Sequence, residues 1–147
     1  MDGPAGVASA TMSPAASHPN LDVVNRVYEA MAAGDRQTLY DLHHPDVVLH
    51  VSGDGRHAGD YVGRDRVLGI SGVADGGPDT TNDTVKVHDI LWTPEHVVVL
   101  VHATVERDGD TLAQNIVQVI HTDDTQVTEI WEYLWDQQAD KVFWSRH

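Results

Sequence analysis

Cysteine is absent from this 147-residue chain, so no disulfide framework holds it and no thiol can act as a nucleophile. Positive charge is scarce. Nine Lys and Arg stand against 23 Asp and Glu, a formal net charge of -14, and the nine are scattered along the chain. Recognition of a phosphate backbone or an anionic bilayer needs clustered cations, which argues against nucleic acid and membrane surfaces as partners. No apolar run approaches the roughly 20 residues that span a bilayer. The opening MDGPAGVASATMSPAAS has neither the basic start nor the continuous apolar core of a secretory signal. The expected location is cytoplasmic.

Hydrophobic residues make up 41% and charged residues 22% of the chain, both ordinary for a globular protein, and the length suits one domain. Residues 1–17 hold no periodic apolar set and are expected to form a disordered tail, with a single domain over 18–147. Order begins where Asn20 can cap a helix whose Leu21, Val24, Val27, Tyr28 and Met31 recur at helical spacing. Gly34 closes it. Asp35 then caps a shorter helix that must stop before Pro45. Asp46–Val51 reads as a strand, a Gly-rich loop follows, and a third helix is expected from about Gly63 towards Gly77. Four apolar or alternating runs, TVKVHDILW, HVVVLVHATVE, LAQNIVQVIH and QVTEIWEYLW, then predict an antiparallel meander.

Several pieces, taken in order, resemble a known family. A Tyr-Glu-Ala helix ends in Ala-Gly-Asp; Pro45-Asp46-Val47-Val48 precedes a strand-end His and Gly; then come GDYVGRDRVLG, HDIL, HVVVLV, VTEIWEY and DQQADKVFW. Over about residues 18–145 this pattern is similar to the SnoaL-like branch of the nuclear transport factor 2-like superfamily. The resemblance implies an α+β fold in which a cone-shaped, curved antiparallel sheet wraps N-terminal helices (a cystatin-like α+β barrel) around an internal pocket, commonly as a homodimer through the outer sheet face. Polyketide cyclases, ketosteroid isomerases, epoxide hydrolases, dehydratases and non-catalytic binding subunits share that fold, so it does not fix function.

Alternate strand residues point to opposite faces, and on LAQNIVQVI the better inner set is Ala113, Asn115, Val117 and Val119. On the next strand Ile130, Glu132 and Leu134 form one set and Trp131, Tyr133 and Trp135 the other. A turn at Asp123–Gln126 would bring Asn115 near Glu132 in an apolar chamber, where desolvation would lift the carboxyl towards neutrality and suit it to general acid-base work. A one-residue slip or bulge would instead put Glu132 on the solvent or dimer face. His50 is a candidate proton shuttle because it precedes Ser52-Gly53, where the family often shows Trp-His-x-Pro-Gly, though here the Trp and Pro are missing. Strict alternation favours a structural role for it, since Val47, Leu49 and Val51 form the apolar set. His102, the lone polar ring in VVVLVHATV, could point into the pocket or simply satisfy a structural bond. His43, His44 and His57 read as solvated residues at loops and helix ends.

Trp131, Phe143 and Trp144 either wall a ligand pocket or close an interface, the interface being favoured for Trp131 and a pocket lid for the other two. Tyr28 and Tyr61 could donate to a developing oxyanion or bond at a core edge. No compact metal-ligand spacing links the histidines, so neither metal nor cofactor is expected. At the positions where ketosteroid isomerases carry carboxylates this chain has Val51 and Val117, and Arg64-Asp65 reads as a helix cap rather than part of an epoxide-hydrolase triad. The chemistry that survives is cofactor-free proton transfer on a small apolar organic substrate by a cyclase, isomerase or lyase, with Glu132 as base and His50 or a tyrosine as acid. The other class is a non-catalytic dimeric ligand-binding or accessory domain. Deleting residues 1–17 should leave Tm nearly unchanged in a thermal melt; a drop of several degrees would show that the segment packs on the domain.

Overall fold

The computed structural model describes residues 17–70 and 83–147. Nearly all of the expected tail, and the expected third helix beyond Ile70, lie outside the described residues. Helix α1 (Pro19–Ala33) begins one residue ahead of the predicted cap. The His18 ring accepts the Asn20 backbone N–H at 3.2 Å, which leaves the Asn20 side-chain amide to donate to the Thr93 carbonyl at 2.5 Å. Gly34, at φ 68°, supplies the left-handed stop. Helix α2 (Arg36–Leu42) is capped by Asp35, whose carboxylate accepts the Thr38 N–H at 3.1 Å. Four helices occur among the described residues, and no helix there is long and apolar enough to cross a membrane.

The chain continues through β1 (His43–Val51), β2 (Gly59–Val62), α3 (Arg64–Ile70), β3 (Thr84–Trp92), β4 (Val97–Arg107), β5 (Asp110–Thr122), β6 (Val127–Leu134) and α4 (Gln137–Ser145). Strand order is β2-β1-β6-β5-β4-β3. The antiparallel meander from β3 to β6 is as expected, but β1 joins β6 in parallel and lies between it and the edge strand β2. Two elements were not visible in the sequence. The four-residue β2 sits inside the Gly-rich loop, and α4 follows the strand that ends in Leu134.

Valine dominates the core: Val24, Val47, Val97, Val99 and Val127 are almost fully buried. β-Branched side chains pack well on a pleated surface, and α1 lays Val23, Val24, Val27 and Ala30 over that floor. Each such burial contributes on the order of 1.5 kcal/mol.

One irregularity decides the inner face. His121 pairs with Glu129 while Thr122 pairs with Val127, so Thr128 is an extra residue on β6, its hydroxyl donating to the His121 carbonyl at 3.2 Å. Without that bulge Val117 would lie opposite Glu132; with it the partner is Gln118. The inner set on β5 is therefore Leu112, Gln114, Ile116, Gln118 and Ile120, the alternate of the one predicted.

Helix α4 is tied to the loop after β1. Gln137 donates to the Ser52 hydroxyl at 3.0 Å, and the Asp136 N–H donates to the Gln114 side chain at 3.2 Å. Gly53 has φ 91°, and a methyl group there would overlap the Gln137 side chain. Gly53→Ala should therefore cost about 1–3 kcal/mol of stability, measured by thermal melting. An unchanged Tm would mean that α4 does not rest on this turn.

Candidate functional site

A cavity of about 790 Å³ lies between the inner sheet face and the helices. Its wall is mostly aliphatic, with Val27 and Met31 from α1, Leu49 from β1, Val101 from β4 and Ile130 from β6. Into this wall β6 projects Glu132. The Gln118 side-chain N–H2 donates to Glu132 Oε1 at 2.8 Å, and the Tyr28 hydroxyl donates to the Gln118 side-chain oxygen. This orientation suits an ionised Glu132, since a carboxylate accepts the amide N–H2 while the phenol supplies a proton to the amide oxygen. Burial pushes the Glu132 carboxyl above its ordinary 4.5; the Gln118 bond draws it partly back, and the charge of Asp140 pushes it further up. Burial, and then the Glu132 charge, lift the Tyr28 hydroxyl well above its usual range, so it stays protonated as a donor.

Further polar groups line the cavity towards α4, among them Asp140, His57, Arg56 and Arg107. Asp140 of α4 is 7% exposed and Trp144, one turn on, also lines the wall. Burial raises the Asp140 carboxyl, while His57 and the Trp144 indole favour its ionised form. The His57 ring stands edge-on to Trp144 at 4.7 Å between centroids. Its own pKa is lowered by burial and by the charges of Arg56 and Arg107, against the pull of Asp140.

The expected site residues divide between the two faces. Glu132, Tyr28 and Trp144 line the cavity, and Phe143, 2% exposed, packs beneath Trp144 at 4.9 Å. His50, His102, Asn115, Val117 and Trp131 do not face it. His50 follows the alternation of β1 outward, where Nδ1 meets Asp60 at 2.7 Å and Nε2 meets Glu129 at 2.6 Å. Two carboxylates can be satisfied only by an imidazolium, and Glu129 first, then Asp60, raise the His50 pKa accordingly. Its ring stacks on Trp131 at 5.3 Å. His102 is exposed and bonds to Asn115 Oδ1 at 3.0 Å, so the predicted meeting of Asn115 with Glu132 is replaced by one with His102. Val117 lies between Leu100 and Tyr133 on the same outer surface. The Thr128 bulge explains the exchange of Asn115 and Val117 for Gln118. Tyr61, on β2, donates to the His57 carbonyl at 2.8 Å and packs at the core edge.

Several cavity residues escaped the sequence reading, among them His43, read as solvated but 4% exposed, bonded to the Leu39 carbonyl at 2.7 Å and lining the chamber. Gln118 was assigned to the wrong face by one residue; His57 sat in what looked like a solvated loop; Asp140 lay in a helix not foreseen. The spacing of Asp136, Asp140, Phe143 and Trp144 is the one local signal that could have exposed α4. Among the described residues no group of three or more His, Asp or Glu is placed to hold a metal ion.

Comparisons with known proteins agree with this architecture. The model of the SnoaL-like domain family matches residues 24–130, ending just before Glu132. An uncharacterized protein of Mycobacterium tuberculosis, Rv0034, is 30% identical over 127 residues, covering 86% of this chain and 96% of that protein. The structure of Bal32a from a soil-derived mobile gene cassette is 28% identical with a TM-score of 0.77, over 86% of this chain and 96% of its own. An NTF2-like protein from Burkholderia xenovorans shares the fold at 23% identity and a TM-score of 0.66, covering 82% and 92% of the two chains. With a family model spanning most of its length, the chain belongs to the SnoaL-like domain family, and it shares its fold, a curved sheet closed by helices, with NTF2-like proteins.

Proposed function

We propose that this protein is a cofactor-independent enzyme that moves protons on a small, largely apolar organic molecule, as a cyclase, isomerase or lyase of polyketide- or terpenoid-like metabolites, and that Glu132 exchanges the proton. The observation that carries the reading is the Glu132 carboxyl enclosed in an aliphatic cavity, held by Gln118 and with the Tyr28 hydroxyl behind it. A carboxyl desolvated in this way is tuned towards the pH at which general acid-base catalysis is most effective. A cavity of about 790 Å³ falls among those that enclose small organic ligands. Proton transfer of this kind needs no cofactor.

The reading extends to a cytoplasmic homodimer joined through the outer sheet face. Leu100, Val117, Val119, Trp131 and Tyr133 share that face, and Tyr133 is 49% exposed. A patch of this kind is rarely left open to water. Light scattering at micromolar concentration should give twice the 16.1 kDa chain mass; a monomer mass would overturn the dimer.

The catalytic reading is tested with 2-tetralone, an apolar bicyclic ketone whose α-hydrogens exchange with solvent deuterium through the enol. The protein should accelerate that exchange, and Glu132→Gln should lower the rate roughly 100-fold while ketone binding changes little. Binding without acceleration would instead support a non-catalytic ligand-binding domain. The same substitution has a stability signature. Because the folded-state pKa of Glu132 is raised, its contribution is full below the unfolded carboxylate range and is lost as pH rises through the folded value. Glu132→Gln should therefore raise Tm at about pH 8, with the gain closing towards about pH 4. An equal effect at both pH values would show that the carboxyl is not desolvated.

A further inference from the structure

Gln114 is an enclosed hydrogen-bond donor with no acceptor. It belongs to the inner set of β5, lines the chamber and is 7% exposed. Its side-chain oxygen accepts the Asp136 backbone N–H at 3.2 Å, at the cap of α4. A backbone N–H can only donate, so the amide is fixed with its oxygen on α4 and its N–H2 turned away from it. Among the described residues nothing accepts that N–H2. Gln118, on the same face of β5, has both ends of its amide engaged, one by Glu132 and the other by Tyr28. Buried polar groups in folded proteins are nearly always paired, so a fixed donor left open in a cavity wall marks a place for a ligand atom.

Register and charge say what that atom is. Gln118 lies across from Glu132, and Gln114 is four residues further along β5, about 13 Å at the usual rise of a strand. Ile116 and its partner Leu134 line the wall between them. Towards α4 and the β4–β5 turn the chamber is lined by the carboxyls of Asp83, Glu106, Asp108 and Asp140 against the arginines Arg56 and Arg107. Arg107 is drawn to Asp83 at 2.9 Å, and the His147 ring meets Asp110 at 3.2 Å. Burial, before any charge, pushes His57 towards its neutral form. An anionic oxygen would enter a field already negative, whereas a neutral carbonyl accepts an amide N–H without that repulsion. The opposite end has the opposite polarity. His43 sits beside Val127, on the far side of Glu132 from Gln114. Its Nδ1 donates to the Leu39 carbonyl at 2.7 Å, which leaves Nε2 of the neutral ring as an acceptor. Burial, and more weakly the Arg64 charge, favour that neutral form against the pull of the Leu39 bond. A carbonyl is thus turned away from His43 and towards Gln114.

We propose that Gln114 is a specificity-determining donor: its N–H2 binds a neutral carbonyl oxygen at the end of the ligand remote from Glu132. The substrate class is then an elongated, uncharged molecule with an apolar body about the length of two fused rings, its reacting end beside Glu132 and a ketone, ester or lactone oxygen at Gln114. The placement of the reacting end rests on the acid-base reading above. The donor at Gln114 does not, because it concerns binding alone.

Two ligands of one shape test it: 6-acetyl-2-tetralone, and 6-isopropenyl-2-tetralone, in which C=CH2 replaces the acetyl C=O. With a hydrogen bond of about 2.9 Å at each end, the acetyl compound is long enough to bridge stations about 13 Å apart. Titration calorimetry should show the wild type binding it about 10-fold more tightly than the isopropenyl compound. Transfer from water into an apolar chamber favours the isopropenyl compound, so a preference for the acetyl one reports the donor. Gln114→Met should weaken the acetyl ligand and bring the two affinities together. If Gln114 only braces α4, the substitution weakens both ligands alike, the ratio survives, and the proposal is overturned. Equal affinities in the wild type, or no binding of either ligand, overturn it even where Gln114→Met does not fold. Deuterium exchange of the two ketones separates this inference from the acid-base reading. Accelerated exchange without acetyl preference removes the Gln114 donor alone; acetyl preference without acceleration supports the donor and removes the acid-base reading.

Discussion

A β-strand can exchange the faces of its side chains only by gaining or losing a residue, and one extra residue at Thr128 determines what the cavity of this protein contains. Between the Asp123–Gln126 turn and the middle of the β5–β6 pair the bulge shifts the register by one. Gln118 then comes opposite Glu132, within reach of the Tyr28 hydroxyl from α1. Val117, its neighbour, is sent to the outer face. A regular hairpin would have left Glu132 across from a valine, with no amide to hold it. The bulge therefore couples a local backbone irregularity to the chemistry of the chamber.

The rest of the architecture supports that chamber. Valine floors and the apolar face of α1 supply the burial that offsets a desolvated carboxyl, a phenol and an amide. Helix α4 closes the end left by the sheet, anchored through Gln114, Ser52 and the glycines of the loop after β1. Because α4 carries both Asp140 and Trp144 inward, closing the cavity and furnishing it are one structural event. The two histidine environments show the same logic of sides. Outside, His50 is clamped between Asp60 and Glu129 and is drawn to its charged form; inside, His57 is desolvated beside arginines and pushed to its neutral form.

Most of the fold was legible because it is written in periodicity. The spacing of Val24, Val27 and Tyr28 gave α1, the alternation in the last four runs gave the meander, and the inward set of Ile130, Glu132 and Leu134 on β6 followed from simple parity. What was illegible depended on contacts distant in sequence. The bulge at Thr128 has no local signature, so β5 was assigned the wrong inner face and Asn115 was preferred to Gln118. His50 looked functional by its position before a glycine, but alternation along β1, already visible in Val47, Leu49 and Val51, carries it outward. β2 is a strand only because β1 offers it an edge, and His57 becomes a cavity residue only because α4 folds back over its loop.

The central claim is that folding encloses the Glu132 carboxyl in an apolar chamber and thereby changes its proton affinity. Carbon-13 NMR of the glutamate side-chain carboxyls, followed through a pH titration with Glu132→Gln used to assign the resonance, measures this directly. A Glu132 midpoint clearly above the ordinary 4.5, shifting downward when Asp140 is replaced by Asn, is the predicted result. A midpoint at or below that ordinary value in the folded protein would contradict the account.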